Sequence, residues 1–369
     1  EMDRILQIDG ENLYAVVEPG VITENFQKEV EKLGLFYPPD PASLAFSTLG
    51  GNVAECSGGP RGLKYGVTKD YVLGIEAVLP GGEIIKTGVK TKKGVAGYDL
   101  TKLLVGSEGT LAIFTKIYLR LIPLPESKKT MLVLFRNMED AAACSCKILR
   151  SNILPSAIEF MDGLAIECVS DYLNVKLKDQ GKALLLIELD GEGNAIEKQS
   201  VKVQNICEEF GLLNFNSAKN KREEDEFWKL RRAISPALMK VNNKKINEDV
   251  TIPVSNIPEA IKRIKKTGED KNLKIINFGH IGDGNIHVNI MVDGENDGEL
   301  KKAESAVKEI FEITLSLGGT ISGEHGIGIT KAPYLAMELS ETEIDIQRKI
   351  KKIFDPKGIL NPGKIFHTG

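Results

Sequence analysis

Residues 278–289 read FGHIGDGNIHVN and contain the elements of an antiparallel hairpin. Asp283-Gly284 is a two-residue turn signal between two apolar segments. This turn would place His280 directly opposite His287, with Cβ atoms about 4.5–5.5 Å apart on one face of the sheet. Asn289, two residues farther along the strand, would project from that same face. The stretch therefore predicts two strands that bring two imidazoles together.

Two facing imidazoles can share one metal ion. The chain has four histidines, and a third, His325, follows Glu324 in the glycine-flanked segment SGEHGIG, residues 322–328. Glu324 would complete a set of two histidines and one carboxylate, a site that binds several divalent ions such as Zn, Fe or Mn. His325 would then move protons. The alternative is a histidine pair without a metal, beside an ordinary surface loop.

Two further segments have the chemistry of ligand binding. Residues 228–232 read WKLRR, and an arginine there can hold a carboxylate through two parallel hydrogen bonds, although such a run is also typical of a plain helix face. Residues 49–60 read LGGNVAECSGGP and offer backbone N–H groups to a phosphate or a flat cofactor edge. This run matches neither the Rossmann fingerprint nor the P-loop.

The character of the chain changes near residue 124. Before that point, short apolar strands such as residues 72–79 alternate with glycine-rich turns, and Pro80-Gly81-Gly82 predicts a hairpin turn. From Thr130 onward, strands alternate with amphipathic helices, for example Met138–Leu149. This alternation indicates an α+β domain on an antiparallel sheet. A length of 369 residues also favours two domains.

Composition excludes several classes of protein. The formal net charge of -4 gives no indication of a nucleic-acid partner. No apolar run approaches the roughly 20 residues of a membrane helix, and no secretory signal is visible. The five cysteines form no CxxC pair, which is typical of reduced cysteines in a cytoplasmic protein. We therefore expect a cytoplasmic protein without a transmembrane segment.

Taken together, these segments resemble the FAD-linked oxidases of the vanillyl-alcohol oxidase and p-cresol methylhydroxylase type. The most similar branch contains D-lactate dehydrogenases, glycolate oxidase large subunits and D-2-hydroxyglutarate dehydrogenase. The resemblance rests on the hairpin and on segments that run in the family's order: YPPDP at 37–41, residues 50–66, GYDLT at 97–101, LVGSEGTL at 104–111, SGEHG at 322–326 and DPKGILNPGK at 355–364.

The resemblance implies an α+β fold with three parts. These are the second half of a p-cresol-methylhydroxylase-type FAD-binding domain (1–124), a ferredoxin-like α+β cap that binds substrate and metal (125–345), and a C-terminal tail that returns to the FAD domain (346–369). The first subdomain of the family's FAD-binding domain is expected to precede residue 1.

The resemblance also implies roles for particular residues. Metal ligation falls on His280, His287 and Glu324, and catalysis on His325 and Arg231. Substrate contacts fall on Arg231, Ser235 and Asn289. Contacts with FAD fall on Pro39, Gly51, Asn52, Ser57, Gly58, Gly59, Glu108 and Asn361.

The activity that follows is FAD-dependent oxidation of a D-2-hydroxy acid to the 2-oxo acid, with hydride transfer to flavin. D-lactate is the first choice, because no second basic residue is assigned to a distal carboxylate, and glycolate or D-2-hydroxyglutarate are the alternatives. The electron acceptor would be an electron-transferring flavoprotein or a quinone. Two competing hypotheses are a flavin-free metal hydrolase that uses the same ligands, and a fragment without activity by itself.

Overall fold

The computed structural model describes residues 2–91, 93–177 and 179–366. The strands are β1 Ile5–Asp9, β2 Tyr14–Val17, β3 Leu35–Phe36, β4 Val72–Val78, β5 Ile84–Gly88, β6 Ile113–Arg120, β7 Ile122–Pro123, β8 Ser127–Phe135, β9 Ala157–Asp162, β10 Ala183–Gly191, β11 Leu212–Ser217, β12 Lys244–Thr251, β13 Lys274–His280 and β14 Asn285–Val292.

The helices are α1 Thr23–Glu31, α2 Leu49–Glu55, α3 Gly62–Tyr65, α4 Thr68–Tyr71, α5 Leu100–Leu104, α6 Met138–Leu149, α7 Gly163–Leu173, α8 Gly193–Glu208, α9 Lys221–Arg232, α10 Ile234–Leu238, α11 Ile257–Lys271, α12 Asp297–Ser316, α13 Leu335–Glu338 and α14 Glu341–Phe354. Helix α6 has the predicted bounds, and its N-cap Asn137 accepts the backbone N–H of Asp140. Among the described residues, no helix combines the length and the apolar character that a membrane crossing needs.

The described residues form two units. The first unit comprises Glu1–Arg61, Tyr65–Leu124 and Glu324–Gly369, and the second comprises Gly62–Lys64 and Pro125–Gly323. One division between the units lies between Leu124 and Pro125. Another division lies between Gly323 and Glu324, and the chain from Glu324 onward packs with the first unit.

The first unit contains an antiparallel sheet in the order β1-β2-β6-β4-β5 and the small pair β3-β7. The predicted turn at residues 80–82 joins β4 to β5, with Val78 opposite Ile84. Apolar side chains of the sheet and of α1 and α2 make the core, in which Phe26, Leu49 and Ile117 are fully buried. The tail is tied down by the buried carboxylate of Asp355, which accepts the backbone N–H groups of residues 359 and 360.

The second unit contains a seven-stranded antiparallel sheet in the order β11-β8-β10-β9-β13-β14-β12. Its first half has β8, α6, β9, β10, α8 and β11 in the β-α-β-β-α-β order of the ferredoxin-like fold, with α7 added. Side chains of α7, α9 and α10 pack on one face of the sheet. Because residues 183–189 of β10 are buried on both faces, helices cover both sides of the sheet. The α+β prediction is confirmed.

The hairpin β13–β14 forms, but the predicted register is wrong by two residues. His280 pairs with Asn285, and His287 pairs with Phe278. The connection is therefore the four-residue loop 281–284, in which Ile281 is fully buried. Gly284 adopts a φ of 91° and lies against the backbone of Ile252, where a Cβ atom would approach the carbonyl oxygen to 2.1 Å. This tertiary contact decides the turn, which the Asp-Gly signal alone did not.

Candidate active site

His280 and His287 lie on the same face of the sheet in the second unit, on adjacent strands. Both side chains are buried, and their Nε2 atoms are 3.4 Å apart. Nitrogen ligands at about 2.0–2.1 Å from one tetrahedral metal ion stand roughly 3.4 Å from each other. The two imidazoles thus have the spacing of two ligands of a single ion, as the sequence predicted, although they are diagonal rather than opposite.

The Nδ1 atom of His280 is 2.5 Å from Oε1 of Glu159, which is the residue opposite His280 on β9. Oε2 of Glu159 accepts the Nε–H of Arg231 at 2.6 Å. Burial by itself raises the pKa of Glu159, but the charges of His280 and Arg231 outweigh burial, and the net pKa is lowered. An ionised Glu159 favours a proton on Nδ1 of His280 and leaves Nε2 as the ligand atom.

Arg231 lies in the last turn of α9, and its side chain is mostly buried. Its guanidinium carbon stands 4.7 Å from the centre of the Phe278 ring, within the range of a cation–π contact. One helical turn earlier, Trp228 donates its indole N–H to Glu188 at 2.9 Å. The bond to Glu159 uses one of the five N–H donors of the guanidinium. The arginine that the sequence analysis selected is thus held on the histidine face.

The two other predicted substrate residues differ in burial. Asn289 is fully buried, and its Nδ2 donates to the carbonyl oxygens of Ile276 and His287. Its Oδ1 has no hydrogen-bond partner among the described residues. Ser235 is exposed at the start of α10 and accepts the Nζ of Lys245 at 2.9 Å. Burial lowers the pKa of Lys245. Asn289 therefore has an acceptor to offer to a ligand, whereas the Ser235 hydroxyl is bonded to a lysine.

Sequence reasoning missed Asp249 on β12. This fully buried residue pairs with His287 in the register, and its Oδ1 is 3.7 Å from Nδ1 of that histidine. It also accepts the Nδ2 of Asn285 at 2.5 Å and the backbone N–H of Gly323 at 2.9 Å. Gly323 has to be glycine, because a Cβ atom would stand 2.1 Å from Asn285 Nδ2. The chain thus leaves the second unit from a fixed point beside Asp249.

Sequence reasoning also missed Glu159. Its signal was available, because it is an acid in the middle of AIEFMD, residues 157–162, a strand that is otherwise apolar up to its last residue. All six residues of this strand are buried. A carboxylate in such a position requires a cationic or hydrogen-bonding partner.

Glu324 and His325 open the last segment of the first unit. Within that unit, Glu324 lies against Gly58, where a Cβ atom would approach the Glu324 Oε2 to 2.5 Å. Gly58 is one of the predicted FAD contacts, and Glu324 is the predicted third metal ligand. The first unit therefore places a proposed flavin segment and a proposed metal ligand next to each other.

The other predicted FAD contacts also lie in the first unit. They are Pro39, Gly51, Asn52, Ser57, Gly59, Glu108 and Asn361. The Pro39 carbonyl accepts from Gln27, and the Gly51 N–H bonds to the N-cap Thr48 of α2. Buried Asn52 donates to Thr23 at 2.7 Å. These bonds fix the loop before α2 and the first turn of that helix in a defined conformation.

Glu108 and Asn361 contact each other. Glu108 has a φ of 51°, and its carboxylate accepts the backbone N–H groups of Ile327 and Gly328 at 2.7 and 2.8 Å. Asn361 donates its side-chain amide to the Glu108 carbonyl oxygen. Burial, followed by the neighbouring Glu108, raises the pKa of Glu55. Glu108 and Asn361 therefore join three segments of the unit, a structural role that exists whether or not either residue contacts FAD.

Comparison with known proteins identifies two matching family models. Residues 124–365 match the C-terminal domain of FAD-linked oxidases, and residues 1–88 match an FAD-binding domain. Among solved structures, p-cresol methylhydroxylase superposes with a TM-score of 0.79 over 99% of this chain and 78% of that one, at 17% identity. A likeness at this identity supports the fold alone.

Curated relatives are similar over nearly the whole chain. Glycolate oxidase subunit GlcD of Bacillus subtilis is 47% identical over 99% of this chain and 78% of its own length. A D-lactate dehydrogenase of Anaerostipes hadrus is 35% identical over 99% of this chain and 78% of its own. A D-lactate dehydrogenase of Archaeoglobus fulgidus is 37% identical over 98% and 79%. The chain therefore belongs to the FAD-linked oxidases, as an oxidoreductase of the glycolate oxidase and D-lactate dehydrogenase group.

Proposed function

We propose that this chain oxidises a short D-2-hydroxy acid, D-lactate or glycolate, to the 2-oxo acid. The observation that carries the proposal is the buried face on which Glu159 holds both Arg231 and His280, with His287 beside them. This face combines a cation for a carboxylate with imidazoles at the spacing of metal ligands. FAD supplies the hydride acceptor in this chemistry. The relatives include a glycolate oxidase subunit and D-lactate dehydrogenases, and they support both substrates equally.

The substrate carboxylate would bind Arg231 through the forked donors of the guanidinium. Asn289, whose Oδ1 has no partner among the described residues, would accept from the substrate hydroxyl. Ser235 would contact the carboxylate after releasing Lys245. These contacts would orient the α-carbon for loss of hydride.

His280, His287 and Glu324 would hold a divalent ion, Zn, Fe or Mn. Such an ion supplies positive charge next to the substrate oxygen and thereby favours loss of the hydroxyl proton. His325, adjacent in sequence to Glu324, would accept that proton as a general base. The 3.4 Å between the two Nε2 atoms is the observation that fits the residues to a metal.

FAD would be held by the first unit through Pro39, Gly51, Asn52, Ser57, Gly58, Gly59, Glu108 and Asn361. Support comes from the match of residues 1–88 to an FAD-binding domain. The electron acceptor of the FAD-loaded enzyme would be an electron-transferring flavoprotein or a quinone. The flavin-free hydrolase hypothesis loses its basis with membership of an FAD-linked family.

The test is a comparison of kcat/KM for D-lactate, glycolate, L-lactate and D-2-hydroxyglutarate with an artificial dye as electron acceptor. FAD and metal content are measured on the same preparation. We expect D-lactate or glycolate to exceed the other two acids by at least tenfold. A preparation that contains FAD and metal but turns over none of the four acids would overturn the proposal.

A further inference from the structure

We propose that Glu159 is a positioning residue that couples the metal-ligating His280 to the substrate-binding Arg231, so that one buried carboxylate sets the geometry of both. This inference rests on the proposed function. It assigns a role to a residue that the sequence motifs do not mark. All of the residues involved lie in the second unit.

The geometry divides the carboxylate between its two partners. Oε1 lies 2.5 Å from Nδ1 of His280, and Oε2 accepts the Arg231 Nε–H at 2.6 Å. Glu159 itself is fully buried, in the middle of β9. Charge-assisted bonds of this length are strong and directional. A displacement of either partner therefore shifts the Glu159 carboxylate and alters its hydrogen bond to the other partner.

A carboxylate that accepts from Nδ1 of a ligating histidine fixes the tautomer and orients the ring. The Nε2 atom of His280 is thereby turned toward the Nε2 of His287, 3.4 Å away. Through its other oxygen, the same carboxylate holds the guanidinium that would meet the substrate. When a substrate carboxylate binds Arg231, it shares the positive charge of the guanidinium with Glu159. Glu159 then becomes a stronger hydrogen-bond acceptor for His280. By thermodynamic reciprocity, metal and substrate affinities are then linked through Glu159.

Phe278 gives Arg231 a second connection to the histidine pair, this time through His287. The Arg231 guanidinium lies over its ring at 4.7 Å, and the ring centre is 5.3 Å from that of His287. Phe278 pairs with His287 in the register of β13 and β14. The arginine is therefore located by a carboxylate and by an aromatic ring, each of which also contacts one of the two histidines.

Glu188 offers a matched control. It is a buried acid on the neighbouring strand β10, and it accepts the indole N–H of Trp228, which lies one turn before Arg231 on α9. In the register of the sheet it lies opposite Thr130 and Ala157 rather than a histidine. Replacing Glu188 thus disturbs the same helix and removes the same charge without removing the acceptor of His280.

The first experiment measures Zn²⁺ affinity of the FAD-loaded protein by competition with a chromophoric chelator. Glu159→Gln should weaken zinc binding by about 10–100-fold, the range for loss of such a partner. Glu188→Gln should stay within threefold of the wild-type protein. An unchanged affinity in Glu159→Gln, or an equal loss in Glu188→Gln, would overturn the assignment.

If Glu159→Gln does not fold by circular dichroism, Glu159→Asp replaces it, because the shorter side chain keeps the charge but reaches only one partner. Glu159→Asp should also weaken zinc binding by at least tenfold, and wild-type affinity in this variant counts against the proposal. A wild-type protein that binds no zinc, manganese or iron would overturn the proposed metal site itself. A metal-binding wild type with an unaffected Glu159→Gln would overturn only the present inference.

The coupling is tested by a double-mutant cycle with zinc affinity as its readout. Arg231→Met should change the zinc dissociation constant by about fivefold or more in the wild-type background, and by less than twofold in Glu159→Gln. Arg232→Met, which removes an exposed charge from the adjacent position, should have no effect in either background. If Arg231→Met changes the zinc dissociation constant equally in both backgrounds, the charge of Arg231 acts on the metal site directly through space. Glu159 would then not transmit the effect of Arg231.

Discussion

The two units present their candidate functional residues in different ways. In the second unit, Glu159, Asp249, His280 and His287 project from neighbouring strands of one sheet face, where the pleat sets their direction. In the first unit, Gly58, Glu108, Glu324 and Asn361 come from loops or from residues with left-handed backbone conformation. The difference teaches that functional side chains on the sheet are positioned by pairing with other side chains, whereas those in the loops are positioned mainly by hydrogen bonds to the backbone.

The largest expected effect concerns the loop side of this comparison. His325→Ala should lower kcat by about 10²–10⁴-fold, the range for loss of a general base, with unchanged FAD and zinc content. Steady-state measurement of kcat for His325→Ala and the wild-type protein at saturating metal checks this prediction. A rate near that of the wild-type protein would remove His325 from the mechanism and leave all of the chemistry to strand-borne residues.

On the sheet side, Arg231→Met should destabilise the protein as well as impair substrate binding. The substitution takes a cation from the buried Glu159 and leaves only the His280 contact. Breaking such a pair costs about 3 kcal/mol or more, or roughly 6–12 °C in the melting temperature of a unit of this size. Arg232→Met, at an exposed position, should stay within about 0.5 kcal/mol. Equal melting temperatures for the two variants would contradict the paired-side-chain description.

One buried aspartate from each unit, Asp162 and Asp355, should respond to pH with opposite sign. Burial raises the pKa of Asp162 in the second unit from 3.8 to about 6, since its partners are Ala165 and Asn277 rather than a cation. Its contribution to stability is therefore complete below pH 3.8 and is lost as the pH rises through 6. Two pKa units correspond to at most about 3 kcal/mol.

Asp355 in the first unit behaves in the other direction. Burial opposes its ionisation, but Lys351 and the N–H groups of residues 359 and 360 lower its pKa to about 2. Its contribution is present above pH 3.8 and is lost as the pH falls toward 2. Thermal unfolding from pH 2.5 to 7 of the wild-type protein, Asp162→Asn and Asp355→Asn checks both signs. Parallel pH profiles for the three proteins would contradict both assignments.

The smallest expected effect is a difference in stability between glycine-to-alanine variants of the two units. Gly323→Ala should cost about 1–3 kcal/mol, because the new methyl group meets the buried Asn285 at 2.1 Å and the half-buried Thr251 at 2.4 Å. Gly58→Ala should cost less, because its nearest neighbour is the end of the flexible Glu324 side chain. Moving that carboxylate should instead lower zinc affinity. Urea unfolding together with zinc titration measures both effects, and a larger stability loss in Gly58→Ala would contradict the comparison.

Sequence reasoning reached most of the fold and part of the site. Helix Met138–Leu149 and the turn at residues 80–82 follow from local patterns and agree with the structure. The pairing of His280 with Arg231 through Glu159 could not be predicted, because it joins strands and a helix that are far apart in the chain. No local pattern encodes such long-range partners. The run WKLRR at residues 228–232 indicated a possible carboxylate site, and the family resemblance selected Arg231 within it.

The histidine hairpin shows which features were determined by the sequence and which by the tertiary structure. The alternation of side chains along a strand has a period of two, so the sequence by itself determined that His287 and Asn289 share one face. The Asp-Gly turn signal predicted that His280 lies on that face as well. The register came from the tertiary structure, where Gly284 packs on the backbone of Ile252 and enforces a four-residue loop. A shift of two residues preserves the face and changes the neighbours. For this reason the two imidazoles meet as predicted, while Glu159 and Asp249, supplied by other strands, depended on the folded sheet.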